Sequence, residues 1–252
     1  MKERTNTSRK IPLKAPCETL RARPGACRVA FDRMLAAFGP QRWWPAETAE
    51  EVIIGAVLTQ NTAWKNVEKA LRNLRAAGAL ALREIAGMDT GALAELLRPA
   101  GYYNLKARRL QALARYFVGK CAGRLDRLSE VNTLTLREEL MSIYGVGHET
   151  ADSVLLYALS RAIFVIDAYT LRIGARHGWF PQGTKYEEAR RFFERSVKPD
   201  VSVYNEFHAL VVRVGAVYCR PRPICHGCPL NDRGCGGIRL VEPTVALQRK
   251  EL

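Results

Sequence analysis

The chain has 252 residues, 48% of them hydrophobic and 25% charged, which leaves room for one large domain or two small ones and excludes a disordered or fibrous protein. The formal net charge is +14, a surplus that favours a polyanion such as nucleic acid as partner. The longest apolar runs, Val52 to Leu58 and Val154 to Leu159, fall far short of the ~20 residues a bilayer span needs. An anionic membrane surface would satisfy the same charge, but the basic residues form no polybasic helix with a wide apolar face.

Residues 1–25 are rich in Lys, Arg, Pro and Thr without periodicity, and predict a flexible basic leader. The opening MKERTNTSRK has no apolar core, so no secretory signal is expected. An early helix is expected near Val29 to Phe38. Thr48 followed by Glu51 forms a capping box ahead of Val52, Ile53, Val57 and Leu58. Trp64, Val67, Leu71 and Leu74 then fall at helical spacing, as do Leu110, Leu113 and Phe117 after Asn104. Thr135 with Glu138 suggests a second capping box, for a helix carrying Leu136 and Leu140 to a stop at Gly145. Another helix should start near His148 and run through Val154, Leu155 and Ala158. Only Ile163 to Ile166 reads as extended. Segments 185–196 and 203–218 return to helix, so the fold class is all-α. After Tyr218 Cys, Pro and Gly take over, and residues 239–252 read as a polar tail.

Seven cysteines are present, and four fall in Cys219-x5-Cys225-x2-Cys228-x6-Cys235. An odd count without a secretory signal points to metal ligation more than to disulfides. Four thiolates on one loop suit a [4Fe–4S] cluster or a tetrahedral zinc. A single Cys-x2-Cys hook flanked by wider gaps favours the cluster, with zinc the alternative.

The stretch Leu140 to Asp152 places Gly145 and Gly147 around Val146, between two helices. The glycines permit φ > 0, Val146 can anchor the turn inward, and free amides at the new helix start can hold a phosphate. A steric Gly-rich turn is the plain alternative. Asp167 follows the run Phe164-Val-Ile and precedes a helix. It reads as an N-cap or as a partly buried carboxylate aimed at a cleft.

This hairpin, the following Asp167 and the four-cysteine loop together resemble the endonuclease III branch of the helix–hairpin–helix DNA glycosylases, over about Trp43 to Cys235. The family's cysteine gaps are usually six, two and five; here they are five, two and six. Leu58-Thr-Gln-Asn-Thr62 resembles the segment with the duplex-filling glutamine, which makes Gln60 that residue. Gly101-Tyr-Tyr-Asn104 resembles the wedge loop, with Tyr102 at its tip. Glu149 stands where bifunctional members have the Schiff-base lysine, and a carboxylate forms no imine. Glu149, the Trp43-Trp44-Pro45 run, the glutamine segment with Trp64 behind it and the Gly101 loop are similar to the bacterial endonuclease III-like 3-methyladenine glycosylases. That likeness implies a base pocket of Trp43, Trp44, Pro45 and Trp64, although large aromatics are as readily core.

The resemblance implies a two-lobed fold with a central lobe over 48–161 and a second lobe of 26–47 plus 162–238 carrying the cluster. It implies a monofunctional enzyme that flips an alkylated base from double-stranded DNA and hydrolyses its glycosidic bond, with Asp167 and Glu149 catalytic. Gly145, Val146 and Gly147 would grip the backbone. A monomer, cytoplasmic and nucleoid-associated, with no membrane partner, is expected. The rival readings are a glycosylase/AP lyase using another lysine, an enzyme for mismatched thymine or oxidised pyrimidine, and a non-enzymatic iron–sulfur DNA-binding module.

Overall fold

Seven of the described helices begin at a glycine or at a side chain that caps the first turn. The computed structural model describes residues 25–231, and within them every regular element is helical. The leader up to residue 24, the tail over 239–252 and Cys235 lie outside the described residues.

The helices are α1 (Ala26–Phe38), α2 (Ala49–Leu58), α3 (Trp64–Ala76), α4 (Leu82–Gly87), α5 (Thr90–Leu97), α6 (Tyr103–Cys121), α7 (Thr133–Met141), α8 (His148–Ser153), α9 (Ala168–Arg176), α10 (Tyr186–Ser196) and α11 (Val201–Val217). A π-helical turn, Val154–Ala158, prolongs α8. The Thr48 hydroxyl accepts from the Glu51 amide, one half of the expected capping box, while the Glu51 carboxylate accepts from the Glu47 amide and not from Thr48. The second box is corrected: the cap lies three residues earlier, because the Asn132 side-chain Oδ1 accepts from the Leu134 and Thr135 amides. Asp200 likewise starts α11 at Val201, two residues before the expected position.

Helix α2 is buried from Glu51 to Leu58, which makes it a central rod rather than a surface helix. It packs on α3, α6, α8 and the π turn. Helix α6 backs α4 and α5, two short helices that sequence periodicity does not signal. Helix α11 packs on α1, α9 and the π turn. The π turn therefore touches both the α2 group and the α11 group.

Ile163 to Ile166 is buried and extended, as expected, but it pairs with no strand. Side chains of α10 replace the missing partner: the Phe164 amide donates to Glu194 Oε1 (3.1 Å) and the Ile166 amide to the Tyr186 hydroxyl (3.3 Å). The next residue is Asp167, so its position follows from α10.

Two glycines should answer the same substitution with opposite signs. A Cβ on Gly215 of α11 would overlap the Tyr169 ring of α9, whereas Gly119 on α6 faces open space. Gly215→Ala should lower stability by overpacking, worth about 1–3 kcal/mol. Gly119→Ala should raise it by roughly 0.5–1 kcal/mol through helix propensity. Urea unfolding midpoints check both.

Candidate active site

The hairpin closes at Ile143, whose carbonyl accepts from the Val146 amide at 3.0 Å. Gly145 has φ +81°, and Val146 is buried. Gly147 differs from expectation: its φ is −97°, a value open to any residue. It serves α8 as N-cap without a side chain, and a Cβ there would meet nothing within 4 Å. The Arg109 stem fills the space beside Gly145 where a Cβ would sit.

Gln60 is tied to this hairpin. Its Nε2 donates to the Gly145 carbonyl and to Thr150 Oγ1, both at 3.0 Å, and its Oε1 accepts from Arg109 at 2.6 Å. A duplex-filling role would require these bonds to be exchanged. Tyr102 lies 70% exposed at the start of α6. Lys106 joins the two loops from beneath. Its buried Nζ donates to the Leu58 carbonyl (2.7 Å), Thr62 Oγ1 (2.5 Å) and the Ala100 carbonyl (2.9 Å). Burial, then the Arg109 charge, pushes this amine down to about 8.

Asp167 caps α9. Its Oδ1 accepts from the amide and the hydroxyl of Thr170, each at 2.7 Å. Glu149 stands close enough for the Asp167 charge to act on it. Burial of the Glu149 carboxyl, then that charge, pushes it up to about 7. The residue as a whole is exposed, so solvent screens both effects. The second oxygen of Asp167 faces His208, with Oδ2 to Nε2 at 3.9 Å. Tyr157 meets His208 in turn, hydroxyl to Nδ1 at 2.5 Å.

Trp43, Trp44 and Trp64 form a triangle with ring centroids 5.3–5.4 Å apart, and Tyr157 packs on Trp44 at 5.3 Å. The indole nitrogens of Trp43 and Trp44 are buried without a hydrogen-bond partner. Pro45 is exposed at the rim. An open cavity of about 560 Å³ lies against Trp44, Pro45 and Trp64, with Glu51, Glu68 and Arg72 on its other walls. Neither Asp167 nor Glu149 lines it. Lys106, Arg109, Tyr157 and His208 escaped sequence reading, because each acts on partners about 50 positions away.

The described cysteines of the C-terminal loop are Cys219, buried beneath Arg176, Cys225, exposed, and Cys228, half-buried. Burial raises the Cys228 thiol; the Leu230 amide opposes this, and Cys219 and Cys225 add to it. Among the described residues no three ligands are gathered as a metal site would need, and the fourth cysteine lies outside them. An all-thiol set of this spacing fits an iron–sulfur cluster in its donor chemistry. Among the described residues no helix is long and apolar enough to cross a membrane.

Residues 54–199 match the family model described as HhH-GPD superfamily base excision DNA repair protein. A protein of Methanocaldococcus jannaschii, provisionally named a DNA repair glycosylase, is 46% identical over 201 residues, 79% of this chain and 91% of its own. Endonuclease III of Thermotoga maritima is 30% identical over 197 residues, 75% of this chain and 86% of its own. The solved structure of H. pylori 3-methyladenine DNA glycosylase (MagIII) bound to 1,N6-ethenoadenine superposes with a TM-score of 0.64 at 30% identity, covering 73% of this chain and 96% of its own.

The Glu149 carboxyl makes stability depend on pH. It rises from 4.5 to about 7 on folding, so between those values the folded state holds a proton that the unfolded state releases. Raising the pH through that window therefore costs stability. Glu149→Gln should unfold at about the wild-type temperature near pH 4 and at a higher temperature than wild type at pH 8, measured by thermal melts.

Proposed function

Because the chain belongs to the HhH-GPD superfamily of base excision DNA repair proteins, we propose that it is a monofunctional DNA glycosylase for alkylated, 3-methyladenine-type bases in double-stranded DNA. One observation carries this reading: Glu149, a carboxylate, occupies the helix start beside Asp167 where an imine-forming lysine would be needed for strand cleavage. The lysine with a depressed pKa, Lys106, is buried under three acceptors and cannot replace it. The likeness to MagIII supports the substrate class.

A base methylated at N3 carries positive charge and leaves as a neutral molecule when the glycosidic bond breaks. The leaving base takes the bonding pair, so no acid is needed to protonate it. Asp167 Oδ2 faces the cationic sugar and stabilises it, as a glycosidase carboxylate does. Water adds at C1′, and its proton passes to the ionised fraction of Glu149. Trp43, Trp44 and Trp64, with Pro45 at the rim, receive the flipped base; an electron-rich indole face favours a cation by about 0.5–2 kcal/mol. Gln60 fills the vacated stack and Tyr102 wedges it open. The amides around Gly145, Val146 and Gly147 hold the phosphate backbone.

The enzyme works as a cytoplasmic, nucleoid-associated monomer, with residues 48–161 as one lobe and 26–47 plus 162–238 as the other, the site between them. Cys219, Cys225, Cys228 and Cys235 hold a [4Fe–4S] cluster, with zinc the alternative. These cysteines would tether the loop that carries Arg220 and Arg222, two basic residues available to a DNA backbone.

Wild type should release 3-methyladenine from methylated duplex and leave the abasic strand uncut until alkali is added. Asp167→Asn should slow release by roughly 10²–10⁴-fold while duplex affinity stays near wild type. Capture of a covalent complex by borohydride, with strand breaks before alkali, would overturn the monofunctional reading. The metal is checked separately. The full chain should carry about four irons, and Cys228→Ser should lose iron and soluble protein together. One zinc per chain would overturn the cluster.

A further inference from the structure

Tyr157 and His208 belong to no step above, yet they join the tryptophan triangle to Asp167. Tyr157 stands in the π turn, the kind of local widening that recurs at functional sites. Its ring packs on Trp44, and its hydroxyl lies 2.5 Å from His208 Nδ1. His208 is buried on α11, and its Nε2 has no hydrogen-bond partner. That nitrogen faces Asp167 Oδ2 at 3.9 Å, just outside bonding range. Asp167 Oδ1 is already held by Thr170, so Oδ2 is the free oxygen.

We propose that His208 is the positioning residue for Asp167: Tyr157 donates to Nδ1, the ring proton is thereby placed on Nε2, and Nε2–H anchors Oδ2 when the site closes on DNA. The inference rests on Asp167 being the catalytic carboxylate. The opposite tautomer would set an imidazole lone pair against a carboxylate oxygen and leave the tyrosine proton without an acceptor. The charged groups facing the pair are Asp167 and, on the Tyr157 side, Glu206. Burial lowers His208, and the opposing pull of Asp167 does not reverse this, so the ring is neutral near pH 7. Burial, and then both carboxylates, keep the Tyr157 proton on its oxygen. A buried N–H without a partner costs free energy in the open form, and moving onto Oδ2 removes that cost.

The test compares wild type, Asp167→Asn, His208→Leu, His208→Gln and Tyr157→Phe in single-turnover release of 3-methyladenine from methylated duplex. It is paired with imidazole nitrogen NMR of the full chain. His208→Leu should slow release by about 10- to 100-fold without changing duplex affinity. His208→Gln, whose amide N–H lies near the imidazole Nε2, should recover most of that loss. Tyr157→Phe should fall between, and NMR of wild type should report the neutral Nε2–H tautomer. Equal rates for the Leu and Gln variants would assign His208 to packing alone and overturn the proposal. So would an Nδ1–H tautomer, which is read without any substrate. Wild-type rates in His208→Leu with an inactive Asp167→Asn would overturn this inference alone. A fully active Asp167→Asn would overturn the catalytic reading beneath it.

Discussion

The guanidinium of Arg137 lies against the carboxylate of Asp152 where water reaches neither, with Nε to Oδ1 at 2.6 Å and the second bond at 3.0 Å. Burial opposes the Arg137 charge, but the hydrogen bonds and charges of Asp152 and Glu187 outweigh it and keep the group protonated. Such a pair adds little net stability over apolar packing, yet losing one partner costs about 3–5 kcal/mol. Its value here is geometric. Asp152 sits one helical turn beyond Glu149 on α8, and it also accepts from the Tyr186 hydroxyl at 2.8 Å. That hydroxyl accepts in turn from Ile166, the residue before Asp167. The buried ion pair thus links the helix that carries Glu149, through α10, to the extended run that ends at Asp167.

The loops that would enter the duplex depend on a second set of polar pins. Lys106 ties the end of α2 to the turn before Tyr102, and Arg109 ties Gln60 to the hairpin. Both come from one face of α6, three residues apart, so a single helix sets the spacing of the Gln60 loop, the Tyr102 loop and the hairpin. A lysine in that position serves as a three-way strut, and its lowered pKa reflects burial and not nucleophilic activation. This separates two meanings of a perturbed lysine that sequence reading cannot distinguish.

Local patterns were legible where local chemistry decides structure. The Thr48 cap, the amphipathic α10 and the positive φ at Gly145 follow from a few adjacent residues. The Thr135 box failed because Asn132 caps more strongly and starts the helix first. Gly147 failed because α8 begins with an extended residue there, not a left-handed one. The Asp167 cap was legible, but the contacts that give it a setting were not. Glu149, His208, Tyr157 and Tyr186 reach it from three other segments, and no periodicity encodes such meetings.

The tryptophan triangle bears on which base the site would accept. The three rings meet tilted or edge-on, at interplanar angles of 53°, 58° and 86°, so no pair forms a parallel slot for a base. The open cavity against Trp44 and Trp64 instead offers indole surface at its wall, and a base stacking there leaves the triangle intact. A neutral base would gain stacking alone. A cationic base would add a charge–ring attraction of about 0.5–2 kcal/mol. Under the proposed reaction, charge on the alkylated base is therefore what an indole wall distinguishes.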